Sequence, residues 1–132
     1  MTRAMLHKVW LPVALGGALG ATARHLTALS TMALLGPVFP WGTLIANGLG
    51  SLIIGFAAAS ISGAENEARR QFLIAGFCGG FTTFSIFSLE MLVMLEAGRI
   101  GAAALYLGLS LAVWLCAVAI GYETGRRLVA GA

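Results

Sequence analysis

Apolar residues in this chain come in runs too long for a soluble helix or strand. The stretch 26–64 contains no Asp, Glu, Lys or Arg, and neither do 71–89 and 100–122. A helix needs about 20 largely apolar residues to cross the hydrocarbon core. Lipid offers no partner to exposed peptide groups, so such runs become helices. The first run is too long for one crossing and is cut by Gly36-Pro37-Val38-Phe39-Pro40, which has turn chemistry. The pattern therefore predicts four spans, at about 9–29, 41–61, 70–95 and 100–122, in a single membrane domain covering 1–132. The fold class expected is all-α integral membrane.

Composition agrees with the pattern. Only 10% of the residues are charged against 59% hydrophobic, whereas a soluble domain carries roughly a quarter charged residues. A soluble fold would leave most of these side chains facing water. The net charge of +3 does not point to nucleic acid, because the basic residues cluster at span ends rather than along one stripe. Arg3, Lys8, Arg69, Arg70, Arg126 and Arg127 fall on one side of a four-span chain and Arg99 on the other. The positive-inside rule then places both termini in the cytoplasm. Arg3 and Lys8 ahead of an apolar run resemble a signal peptide, but Gly16, Gly20 and Arg24 at helical spacing read as a packed face, and the segment is expected to be retained. Cys78 and Cys116 lie inside spans, far from metal-ligand spacing, and read as small buried apolar side chains.

Helices in lipid associate through small residues that let backbones approach. Rows of this kind are Gly16 and Gly20 in the first span and Gly42, Ala46 and Gly50 in the second. A second row, Asn47, Ser51 and Gly55, puts an amide on a small-residue face, where it needs a partner or an ion. Four short spans enclose no polar pathway by themselves, so an oligomer is expected.

The third span holds the chemistry. Its centre reads Gly79-Gly80-Phe81-Thr82-Thr83-Phe84-Ser85-Ile86-Phe87-Ser88-Leu89-Glu90. Two glycines and two β-branched threonines are poor material for an unbroken helix, and broken helices near the midplane are one way to build ion sites. Phe84 and Phe87 would share a face of a resumed helix, interleaved with hydroxyls. The edge of an aromatic ring is positive, so such a row suits a small anion. No hydrolytic triad is in evidence, since His7 and His25 lie far from Glu90, and no phosphate-binding loop occurs.

The run Gly76-Phe77-x-Gly79-Gly80-x-Thr82-Thr83-Phe84-Ser85-x-Phe87-Ser88-x-Glu90 resembles the third-span motif of the Fluc/CrcB family of fluoride channels. Gly16-Gly17-x-x-Gly20-Ala21-x-x-Arg24 and Gly42-Thr43-Leu44-x-x-Asn47-x-x-Gly50 resemble its first- and second-span motifs. The resemblance implies an antiparallel, dual-topology homodimer in the bacterial plasma (inner) membrane. Its function would be passive export of cytoplasmic fluoride down its electrochemical gradient, giving fluoride resistance, and not an enzymatic activity. Phe84 and Phe87 would be ring-edge ligands and Asn47 an amide donor in the pore. Thr83, Ser85 and Ser88 would supply hydroxyls, with Tyr106 and Ser110 beside the phenylalanines. Arg24 would sit at a vestibule, with Glu90 as the acidic member of the motif; apart from the resemblance, Glu90 is expected to be a structural partner of Arg24 or of backbone donors. The carbonyls of Gly79 and Thr82 would surround a structural Na⁺ at the dimer interface. Ile86 stands where many relatives have Thr, and His25 where they often have Tyr. The lopsided basic residues leave a second assembly open, a heterodimer with a relative of opposite orientation. Two other readings compete. A small multidrug or proton-coupled exporter needs a titratable acid in the membrane, for which Glu90 is the deep candidate, and a non-transporting assembly factor would leave the hydroxyl and phenylalanine pattern idle.

Overall fold

The computed structural model describes residues 9–63 and 66–131. All regular structure among them is helical: α1 (Leu11–Leu35), α2 (Trp41–Ser60), α3 (Glu67–Arg70), a π-helical stretch (Gln71–Cys78), α4 (Gly79–Phe81), α5 (Ser85–Glu96) and α6 (Ile100–Ala130). Three stretches, Trp41–Ser60, Glu67–Glu96 and Ile100–Ala130, are long and apolar enough to cross a membrane. α1 is 25 residues long, roughly 37 Å, but carries Arg24 and His25 near its middle. It runs six residues past position 29, because nothing breaks it before Gly36, whose φ is 79°. α6 likewise continues beyond position 122, into a charged turn where Arg126 and Arg127 both bond Glu123. Arg3 and Lys8, read as basic residues ahead of the first span, and His7 lie outside the described residues.

Two parallel helix pairs make the bundle, and each is a backbone-on-backbone contact. A Cβ on Gly16 would collide with the Phe72 carbonyl, one on Gly20 with the Phe77 carbonyl, and one on Gly80 with the Gly17 carbonyl. α1 therefore lies directly against the π-helical stretch and α4. In the other pair, a Cβ on Gly55 would meet the Val118 carbonyl and one on Gly121 the Leu52 carbonyl, locking α2 to α6. Such proximity is how helices gain packing energy where lipid supplies no hydrophobic drive. The Gly121–Gly125 row of α6 was not singled out in the sequence, although its small-xxx-small spacing is visible there.

These pairings put Arg69, Arg70, Arg126 and Arg127 at one end of the bundle and Arg99 at the other. The core between α2, α5 and α6 is formed by Leu44, Phe87, Met94, Ala103 and Tyr106. Cys78 is buried, as the sequence suggested, but Cys116 is exposed. It faces outward on α6, among side chains such as Leu115 and Ile120, where a weakly polar thiol suits lipid as well as a core does. A direct prediction concerns the glycine contacts. Gly20→Val should lower the thermal midpoint of the detergent-solubilised protein by the equivalent of about 3 kcal/mol or more. Gly101→Ala, whose Cβ meets nothing within 4 Å, should leave that midpoint unchanged or raise it slightly.

Candidate functional site

The helical ladder of the third apolar stretch stops at Thr82, where ψ turns to 158°, and resumes at Ser85. An interruption frees peptide groups, and each must be satisfied. Asn47 on α2 takes both groups of Thr83. Its Nδ2 donates to the Thr83 carbonyl at 2.9 Å, and its Oδ1 accepts from the Thr83 N–H at 2.7 Å. The residue is only 5% exposed, so these are two hydrogen bonds shielded from water. Its second Nδ2 hydrogen has no acceptor among the described residues. The new helix is started by Thr83, whose Oγ1 accepts from the Ile86 N–H at 3.2 Å in the manner of an N-cap. Ser85 Oγ lies 3.3 Å from the same hydroxyl.

The carbonyls of Gly79, Gly80, Phe81 and Thr82 receive no backbone hydrogen bond across the break among the described residues, and two of them can be traced to side chains that take the N–H groups they would use. The N–H four residues beyond Gly79 is that of Thr83, and it is engaged by Asn47. The N–H four beyond Thr82 is that of Ile86, and it is engaged by the Thr83 hydroxyl. Thr82 meanwhile bonds back to the Cys78 carbonyl through both its N–H and its Oγ1. The carbonyls of Gly79 and Thr82 are thus both released from the helical ladder.

The phenylalanines have different surroundings. Phe87 is 4% exposed, with the rings of Tyr106 and Trp114 each 5.0 Å away, the latter edge-on at 72°. Phe84, 5.8 Å from Phe87, is 74% exposed. Ser85, Ile86 and Ser88 are exposed as well, Ile86 less so, and Ser88 Oγ donates back to the Phe84 carbonyl.

Glu90 is held by hydroxyls. Thr43 Oγ1 donates to its Oε1 at 2.8 Å and the Tyr106 hydroxyl to its Oε2 at 2.7 Å. The expected pairing with Arg24, or with backbone donors, is not made. Arg24 and Glu90 line the same open groove of about 450 Å³, but among the described residues the ion pairs are those of Glu67 and Glu123. Two neighbouring hydroxyls reach the carboxylate first, from helices that already pack on it. Thr43 was not singled out as a site residue in the sequence. Its signal, a hydroxyl one helical turn before Asn47, was there to be read. Ser110, one turn beyond Tyr106, is fully buried, and its Oγ has no hydrogen-bond partner among the described residues.

The profile described as "CrcB-like protein, Camphor Resistance (CrcB)" matches residues 11–122. The chain belongs to the CrcB family. Its similarity to individual CrcB relatives is close to full length. It is 45% identical over 120 residues to the fluoride-specific ion channel FluC of Cereibacter sphaeroides, covering 91% of this chain and 96% of that one. It is 45% identical over 121 residues to FluC of Thermus thermophilus, covering 91% and 97%. It is 44% identical over 118 residues to FluC of Agrobacterium fabrum, covering 88% and 94%. Within this CrcB chain, the Asn47 brace makes a specific demand. Asn47→Leu removes two buried hydrogen bonds and strands both Thr83 groups, and should cost about 2–4 kcal/mol, read as a lower thermal midpoint. Thr43→Val should cost less, because Tyr106 still holds Glu90.

Proposed function

We propose that this protein is a fluoride-selective channel that lets cytoplasmic fluoride leave passively. The observation that carries this reading is the interrupted helix: freed peptide groups, hydroxyls and phenylalanine rings lie together at Gly79–Ser88, with no Lys or Arg among residues 71–89. Fluoride is small and tightly hydrated, so a path for it must replace water with many weak donors. Ring edges, amide hydrogens and hydroxyls do so without holding the ion, since conduction needs binding that is easily undone. The second Asn47 Nδ2 hydrogen and the unpartnered Ser110 hydroxyl are donors of this sort. The names of the FluC relatives support the same reading.

The working unit is an antiparallel dimer of four-span chains in the inner membrane, with α1 as the first crossing. What supports this is the exposure of Phe84, Ser85 and Gly79 on one chain. Released carbonyls cannot face hydrocarbon, and a second copy would cover them. The carbonyls of Gly79 and Thr82 fit a hard monovalent cation, which takes oxygen ligands. Na⁺ held there by both copies would neutralise converging carbonyl dipoles and hold the two breaks together. Arg24, half-buried and without an ion pair among the described residues, would raise the local concentration of anions in the groove. The uneven ends, Arg69, Arg70, Arg126 and Arg127 against Arg99, favour a second assembly in which the partner is a related chain of opposite orientation. An exporter driven by protons is less well supported, because the acid deep in the third span, Glu90, is bonded by two hydroxyls.

The test is fluoride efflux from liposomes containing the purified protein, with chloride as control. Fluoride should leave and chloride should stay. Loss of the chloride gradient at the same rate would overturn the assignment. Phe84→Ile should abolish fluoride efflux with the assembly intact by size-exclusion chromatography, since that ring makes little internal packing. Phe87→Ile should abolish it too, and also lower stability by about 1–3 kcal/mol.

A further inference from the structure

The connection between α1 and α2 is held more firmly than a connecting loop requires. Pro40 has φ −79° and ψ 63°, the geometry at the centre of an inverse γ-turn, and the Trp41 N–H closes that turn on the Phe39 carbonyl at 2.8 Å. Phe39 precedes a proline, which confines its backbone to extended conformations. A second tether comes from the turn before α6. Arg99 Nη2 donates to the Val38 carbonyl at 2.9 Å. The backbone of Arg99 is itself fixed, its N–H on the Met94 carbonyl and its carbonyl receiving the Ala103 N–H.

What this strap presents to the interior is one ring. Phe39 lies 4.7 Å from Trp41 and stands edge-on to Tyr106, at 5.3 Å and 80°. Tyr106 is fully buried, lies 5.0 Å from Phe87 on its other side, and gives its hydroxyl to Glu90. Glu90 is also reached by Thr43, three residues after the γ-turn proline. Rings and hydroxyls thus run without a gap from the strap to the phenylalanine of the ion path. Val38, Phe39, Pro40 and Arg99 also form one wall of the groove that holds Glu90.

We infer that the strap at residues 37–40 is a positioning device for the ion path: Arg99 pins it, Phe39 holds Tyr106 in place, and Tyr106 in turn holds the Glu90 carboxylate beside Phe87. Phe39 and Arg99 touch no ion themselves. They act through the Tyr106 hydroxyl. The inference rests on the fluoride-channel reading above and adds to it two residues far from the helix break.

The experiment is fluoride efflux from liposomes for the unaltered protein, Phe39→Leu, Arg99→Met and Arg99→Lys, each repeated with Tyr106→Phe, and with assembly checked by size-exclusion chromatography. Phe39→Leu and Arg99→Met, which has no donor for Val38, should each slow efflux about three- to tenfold, the rate equivalent of one edge-to-face ring pair. Arg99→Lys, which keeps a donor for Val38, should recover most of the rate. In the Tyr106→Phe background neither change should slow efflux further, because the hydroxyl through which they act is gone. Unchanged efflux in both single variants overturns the inference, and so do effects that multiply with Tyr106→Phe, which would mark Arg99 as a simple source of positive charge. If Phe39→Leu does not assemble, the exposed Arg99 carries the test alone. Silence of the unaltered protein toward fluoride would instead defeat the channel reading, and the role of the strap with it.

Discussion

A break in a membrane helix is tolerable only if its peptide groups find partners, and here one side chain takes both groups of the residue at its centre. Asn47 satisfies both the N–H and the carbonyl of Thr83. A carboxamide suits the position because it offers a donor and an acceptor side by side, matching a peptide unit. Aspartate lacks the donor and leucine lacks both. Because Asn47 takes the Thr83 N–H, the Gly79 carbonyl is released. Because the Thr83 hydroxyl then takes the Ile86 N–H, the Thr82 carbonyl is released as well. The release of these two carbonyls follows from a single brace.

That brace works only if α2 approaches the break closely. A Cβ on Gly50, three residues after Asn47, would strike the Thr82 side chain. Around this contact, α1 lies on the first half of the interrupted helix and α2 on α6, at distances that exclude any Cβ at Gly16, Gly20, Gly55 and Gly121. Helix packing and site geometry therefore share one cause. The small residues that replace hydrophobic drive within lipid also bring Asn47 within hydrogen-bonding range of Thr83.

Beyond the break, polar groups hand bonds to one another across three helices. Thr43 from α2 and Tyr106 from α6 meet on Glu90 of α5, and the rings of Tyr106, Phe87 and Trp114 pack behind them. Buried polar networks are stable only when their members are satisfied. Ser110 Oγ and the second Asn47 Nδ2 hydrogen are the departures from that rule near the rings. In a path for a weakly held anion, such departures are where the ion would complete the set.

The sequence by itself determined the class of the protein and the place of its interruption. Charge-free runs of about 20 residues or more leave a helix in lipid as the outcome that satisfies every peptide group, and Gly79-Gly80 followed by Thr82-Thr83 marks where a helix fails. Local chemistry is legible because it depends on neighbours in the chain. The partner of Glu90 was not legible. Arg24 is the obvious counter-charge in one dimension, but the packing of α2 and α6 brings Thr43 and Tyr106 to the carboxylate instead. The different exposures of Phe84 and Phe87, three residues apart and alike in sequence, are also decided by what packs on each ring. The strap that reaches Tyr106 from residue 39 belongs to the same category. Contacts between residues 47 and 83, or 38 and 99, exist only once the helices have been brought together, and distance in space, not spacing in the chain, fixes which groups pair.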